Sequence, residues 1–295
     1  MQNDIVTKQN EQSFLDRLAA QRHLYSKAKR LSAFMFISCV LIPVALAITK
    51  VVFPNCTFLL RLIVVYSFVA TLIRKLLKNR SVYYKTLAAK IQQMFDCDLF
   101  GLDWNKALCG ARPKPEEMLK YLKEASYDKL ENWYNVIVSE LPKSIGALVC
   151  MRTNVVYDQS LRTTFSHLCY VITIIALLLV TILGMINNTG IWEAFLYGIV
   201  PLLPLIIWGI DLYHEHTVNI KALYNLEDLI DTGLEEAKEN GRVDEHRLNE
   251  IQNFMFLHRK TSYLIPDCFY WYVHNKQEQA AYYGAKEICA MYRLM

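Results

Sequence analysis

Polar and apolar positions along this chain segregate into blocks. Four stretches, at 31–49, 62–73, 163–192 and 194–210, contain no Asp, Glu, Lys or Arg. A helix needs about 20 mostly apolar residues to cross a hydrocarbon core roughly 30 Å thick. The pattern therefore predicts spans at about 31–52, 56–73, 164–186 and 192–210, the second at the short end of the range. None has the polar face of a soluble core helix. Ala45-Leu46-Ala47 superficially suits a signal-peptide cleavage site, but 30 residues precede the apolar run and the run continues to Val52, so span one reads as a retained anchor.

Outside the spans the periodicity is helical throughout. Residues 1–30 read as an amphipathic helix with Phe14, Leu18 and Tyr25 on one side. Residues 74–162 begin as an extension of span two and break near Gly101 and at 110–115, where Pro115 with Glu116 and Glu117 opens another helix. Residues 211–295 continue span four, with Leu212, Leu223, Leu226, Ile230 and Leu234 as core positions. Asn240-Gly241 stops that helix, 243–264 returns, Pro266 breaks the chain, and 277–292 forms the last helix. The expected fold is all-α and polytopic: four transmembrane helices in two hairpins (31–73 and 163–210) plus a helical cytoplasmic domain built from 1–30, 74–162 and 211–295.

Charge orients the hairpins. Arg17, Arg22, Lys27, Lys29 and Arg30 precede span one, Arg74, Lys75, Lys78 and Arg80 follow span two, and Arg152 and Arg162 precede span three. The positive-inside rule puts both termini and all three polar segments in the cytoplasm of a multi-pass membrane protein. The outer loop at 187–191 has no Lys or Arg, and Trp192 and Trp208 suit two interfacial belts. A net charge of +4 does not argue for a nucleic-acid polymer, and eight scattered cysteines without a C-x-x-C pair fit a reducing compartment. Residues 211–250 hold eleven acids against four basic side chains, opposite the basic run at 74–90. A salt-bridge layer within or between chains and a plain solvated face both fit that asymmetry.

Catalytic signatures do not emerge, and the chain reads as neither an enzyme nor a metal or cofactor protein. His214-Glu215-His216 lacks zinc spacing, and Asp96, Asp98 and Asp103 sit where helix capping accounts for them. Within the spans, Arg61, Ser67, Thr71, Ser166, Tyr170 and Thr173 are the polar positions able to line a water path. Snorkelling of Arg61 and helix packing by the hydroxyls are the plainer explanations. The segment 100–162 offers Trp104, Trp133, Tyr134 and Tyr157 for stacking, Arg112, Arg152 and Arg162 as phosphate forks, and Asn154 as an amide edge. Arginine planes beside aromatics suit nucleotide-like ligands, with core packing or structural ion pairs as the alternative.

Short segments in a fixed order carry a family resemblance. They are Leu18-Ala19-Ala20-Gln21-Arg22 with Tyr25; Ile91-Gln92 with Phe95-Asp96; Trp104-Asn105; Asn132-Trp133-Tyr134; Cys150 with Arg152-Thr153-Asn154, Asp158 and Leu161-Arg162; and Ile265-Pro266-Asp267 with Tyr270 and Glu278. With four spans between them, they resemble the SMODS-associated four-transmembrane effectors, a pore-forming family of bacterial anti-phage defence. The chain departs from that pattern at Met151, where glutamine is expected, and at Tyr157, where tryptophan is. The resemblance implies a cyclic oligonucleotide ligand, an inner-membrane location and a homo-oligomer that breaches the membrane. A non-conducting membrane-anchored sensor or scaffold stays open, as does a small-solute transporter, although neither an inverted repeat nor paired midplane charges are present.

Overall fold

The computed structural model describes residues 3–53, 56–122, 125–186 and 203–293. Among them every regular element is helical. After a short α1 (Ile5–Lys8), α2 (Gln12–Phe36) passes through a π turn (Ile37–Leu41) into α3 (Ile42–Val52). Then follow α4 (Thr57–Phe100), the short α5 (Lys106–Cys109) and α6 (Pro115–Leu122), and a 3-10 turn (Val136–Glu140). The remainder comprises α7 (Lys143–Ile186), α8 (Leu203–Asn240), α9 (Glu245–Thr261) and α10 (Asp267–Arg293).

Proline and glycine set the local departures. Pro43 has no N–H to donate, so a regular helix would leave a carbonyl one turn earlier without its partner. The backbone widens there into the π turn, and the Ser38 carbonyl, five residues before Pro43, instead accepts the Tyr66 hydroxyl of α4 at 2.9 Å. The first hairpin is thereby pinned at its bend. Gly101 ends α4 in the left-handed region (φ +79°), and the Gly101 and Leu102 amides both donate to the Cys97 carbonyl at 2.9 and 2.8 Å.

Helices α2 and α3 pair with α4, and α7 pairs with α8, as the two hairpins. The polar ends meet around one core that includes Phe95, Leu148, Met151, Ile230 and Ile251. Helix α9 packs against α4, α7 and α8, while α10 lies along α7.

In the spans the apolar side chains point outward: Phe58 is 67% exposed, Phe68 68% and Ile210 63%. Gln12–Lys50 and Thr57–Phe100 are long and apolar enough to cross a membrane. Apolar surface of that extent is at home in lipid rather than water. The loop at 187–191 and the first part of span four, 192–202 with Trp192 and Pro201, lie outside the described residues.

Boundaries drawn at 73 and 162 fall inside single helices, because α4 and α7 run unbroken from span to polar domain. The last helix starts at Asp267 rather than 277, since Phe269, with Val273 one turn on, packs into a cluster with Leu161, Phe165 and Leu212 that holds its first turns down.

Candidate functional site

Where α2, α7, α9 and α10 converge below the spans they enclose a cavity of about 460 Å³. Its floor rests on Asp96, which is fully buried and must therefore be paired. Arg259 Nη1 reaches Asp96 Oδ2 at 2.6 Å, Gln252 donates to it at 3.0 Å, and the Tyr134 hydroxyl donates to Oδ1 at 2.7 Å. Asn154 in turn donates to the Tyr134 hydroxyl at 2.9 Å. Burial pushes the Tyr134 phenol far above its ordinary range, with the Asp96 charge adding to the effect, so it keeps the proton that this chain of bonds requires.

One wall is made by α7. Asp158 accepts Arg162 Nε at 2.9 Å and faces His258 Nε2 at 2.6 Å. Burial alone would raise the Asp158 carboxyl, but the charge of Arg162 and the His258 contact outweigh it and hold the group well below its usual range. Arg162 also donates to the Tyr263 carbonyl at 2.9 Å and to Ser262 Oγ at 3.0 Å. This one guanidinium, 6% exposed, ties the segment of α7 entering span three to the linker between α9 and α10.

The remaining lining mixes cations and aromatic faces: Arg22, Lys29, Trp133, Tyr157, Tyr270 and Trp271. Arg22 donates to the Asp128 and Lys129 carbonyls at 2.5 and 3.3 Å, and Lys29 pairs with Asp267 at 2.6 Å.

Three polar atoms on this lining are buried and have no hydrogen-bond partner among the described residues: Gln21 Oε1, His258 Nδ1 and Arg259 Nη2. Each such orphan costs about 1–3 kcal/mol unless water or a ligand completes it. The atoms lie just beneath the cavity surface on residues that line it, so a small turn of those side chains brings an acceptor, a ring nitrogen and a guanidinium N–H to a polar ligand.

The sequence candidates divide between this cavity and other places. Trp133, Asn154 and Arg162 line it, and Tyr134 supports its floor from behind. Arg152 does not join them: it faces α8, pairing with Asp231 at 2.5 Å and Glu227 at 3.3 Å, so the acidic helix has claimed its charge. Nor do Trp104 and Arg112, which stack on each other at 5.2 Å, Arg112 bonding Asp98 and Trp104 bonding the Gly110 carbonyl.

Arg22, Lys29, His258, Arg259 and Trp271 lie outside the aromatic and arginine-rich 100–162 segment: the first two in the basic cluster before span one, the next two on α9 and the last on α10. The signal available was the set of short segments themselves. Gln21, Arg22, Tyr25, Gln92, Asp158, Arg162, Asp267 and Tyr270, scattered over 250 residues, all line this one cavity.

In the spans the candidate hydroxyls are turned onto their own helices. Ser67 bonds the Ile63 carbonyl, Thr71 that of Ser67, Ser166 that of Thr163 and Thr173 that of Cys169. Tyr170 stacks near Tyr213, and Arg61 is exposed at the far end of span two. Among the described residues no group of three His, Cys, Asp or Glu side chains is placed to hold a metal ion.

Comparison with known proteins bears on this arrangement. A family model described as the SMODS-associating 4TM effector domain matches residues 3–288. A protein of Bacillus cereus (strain VD146), named a "Probable CBASS effector molecule", is 26% identical over 286 residues, covering 93% of this chain and 95% of the relative. No solved structure matches the chain.

Proposed function

Because this chain belongs to the SMODS-associating 4TM effector family, we propose that it is a four-span inner-membrane effector of anti-phage defence, opened by a cyclic oligonucleotide. Both termini face the cytoplasm, and the messenger enters the cavity between α2, α7, α9 and α10. The observation that carries this reading is the trio of orphaned polar atoms, Gln21 Oε1, His258 Nδ1 and Arg259 Nη2, in a cavity walled by tryptophans and cations. A base stacks on Trp133 or Trp271, its edge meets the orphans, and the cations take the phosphodiester charge.

Transmission is short, since much of the lining sits on helices that become spans, among them Lys29 on α2 and Arg162 on α7. To convert a closed state dominating 99:1 into an open one dominating 99:1, the messenger must favour the open form by about 5.5 kcal/mol. Two or three charge-assisted contacts worth roughly 1.5–3 kcal/mol each suffice. One copy has too few polar groups in its spans to enclose a hydrated path, so the open form is a homo-oligomer.

The test is dye release from phosphatidylethanolamine–phosphatidylglycerol vesicles carrying the full chain, on adding cyclic di- and trinucleotides. Release by one of them, abolished by Trp133→Ala with folding intact, is the expected result. Binding without release would favour a non-conducting sensor, a reading supported by the span hydroxyls that bond their own helices. Failure of every cyclic nucleotide to bind would end both.

A further inference from the structure

We infer that Asp267 is a built-in occupant of the phosphate position of this cavity, and that Lys29 is the residue that exchanges it for the ligand's phosphate. The inference rests on the cavity being the messenger site.

Four cations line the cavity, and three are committed to structure. Arg162 is tied to Asp158, Ser262 and the Tyr263 carbonyl; Arg259 to the buried Asp96; Arg22 to the Asp128 and Lys129 carbonyls. Pulling Arg259 away would strand the buried Asp96 carboxylate, and pulling Arg162 away would take the donor from Asp158, Ser262 and the Tyr263 carbonyl at once; Arg22 would give up two main-chain bonds on an exposed turn.

Lys29 is different. Its partner, Asp267 at 2.6 Å, is 46% exposed while the lysine side chain is 20% exposed. The carboxylate can swing into water and be fully solvated; the ammonium, with its nitrogen also 5.5 Å from the Tyr270 ring, stays where it is and needs an anion. A phosphate oxygen meets that need with the same charge-assisted geometry. Asp267 also opens α10 in its first turn, where an anion is favoured by the helix dipole, so a phosphate arriving beside it takes over both attractions.

The exchange has a mechanical result. The Lys29–Asp267 pair joins α2 to the start of α10. Lys29 lies eight residues, about 12 Å, before the π turn that bends α2 into span one. Replacing Asp267 by phosphate releases the start of α10 from the helix that becomes that span, which makes the pair an autoinhibitory tie as well as a stand-in ligand.

The experiment measures binding of two probes, sodium tripolyphosphate and cyclic di-AMP, to the full chain in mild detergent by calorimetry. Melting curves check folding. Asp267→Asn removes the competitor, and is expected to bind both probes about two- to fivefold more tightly than the parent. Lys29→Gln is expected to bind both about tenfold or more weakly, and the double variant to behave like Lys29→Gln.

An Asp267→Asn protein that binds both probes no better than the parent overturns the inference, and so does absence of binding to parent and variant alike. Trp133→Ala separates the two levels. If it weakens cyclic di-AMP while Asp267→Asn tightens nothing, the cavity reading survives and the exchange does not. If neither substitution changes cyclic di-AMP binding, both fall.

Discussion

Gly209 of α8 lies so close to Thr173 of α7 that a methyl group on its Cα would meet Oγ1 of the threonine at 2.9 Å and Cγ2 at 3.3 Å. Small residues let membrane helices approach in this way, and it gives Thr173 a packing role between the spans. Gly209→Ala should overpack the second hairpin and destabilise the protein by about 1–3 kcal/mol. Thr173→Ala removes both clashing atoms, so the double variant should recover most of the loss. Melting of the four proteins in one detergent checks the pair, and a Gly209→Ala protein as stable as the parent would mean the helices are not so closely apposed.

Arg152 is held by Asp231 and Glu227, whose side chains are 42% and 22% exposed. The position is therefore structural. Arg152→Gln should cost about 1–2 kcal/mol of stability, while leaving the affinity of the cavity for a cyclic dinucleotide within about twofold of the parent. Calorimetric titration alongside a melting curve distinguishes this from a ligand role, in which affinity would collapse with stability intact.

Asp96 and Arg259 form the most deeply buried ion pair at the cavity, with side chains 1% and 11% exposed. Removing one partner strands a charge in the core and costs about 3–5 kcal/mol. Removing both, in Asp96→Leu with Arg259→Met, should cost less than the sum of the single losses. A double-mutant cycle from chemical denaturation measures the coupling, and additive losses would contradict the pairing.

Much of this architecture could be read from sequence because its causes are local. Charge-free runs mark the first two apolar helices, both long and apolar enough to cross a membrane; Gly101, Pro115, Asn240-Gly241 and Pro266 set helix ends, and the core positions Leu212 to Leu234 follow a 3.6-residue period. The cavity could not be read the same way. Its residues come from α2, α4, α7, α8, α9, α10, the α9–α10 linker and the Trp133 loop, so no window along the chain contains them together. Composition pointed instead to the local concentration of aromatics and arginines at 100–162. There it captured Trp133, Asn154 and Arg162 but also Trp104, Arg112 and Arg152, whose charges or rings are satisfied elsewhere. The π turn at Ile37–Leu41 follows from Pro43, but a proline says only that the helix must depart from regularity there, not which form it takes.

His216 gives the chain a pH dependence with a definite sign. The ring is fully buried on α8, edge-on to Phe165 at 5.4 Å and Tyr263 at 5.8 Å, and neither nitrogen has a hydrogen-bond partner among the described residues. Burial, with the charge of Arg162 adding to it and that of Asp158 opposing, holds its pKa down at about 4. The folded form therefore stays neutral between about 6.5 and 4 while the unfolded chain takes up a proton, so stability falls as pH drops through that window. Asp158 does not act there: its depressed carboxyl contributes stability above the unfolded value of 3.8 and loses it only below that. The loss attributable to His216 should amount to about 1–3 kcal/mol. His216→Phe keeps the aromatic contacts and removes the titrating nitrogens. It should raise stability at pH 7, because two orphaned polar atoms vanish, and flatten the slope between pH 6.5 and 4. Melting curves of parent and variant across that range decide the matter, with the variant also cancelling the shared contribution of the other histidines. Parallel pH profiles for the two proteins would show that His216 is not buried neutral in the folded state.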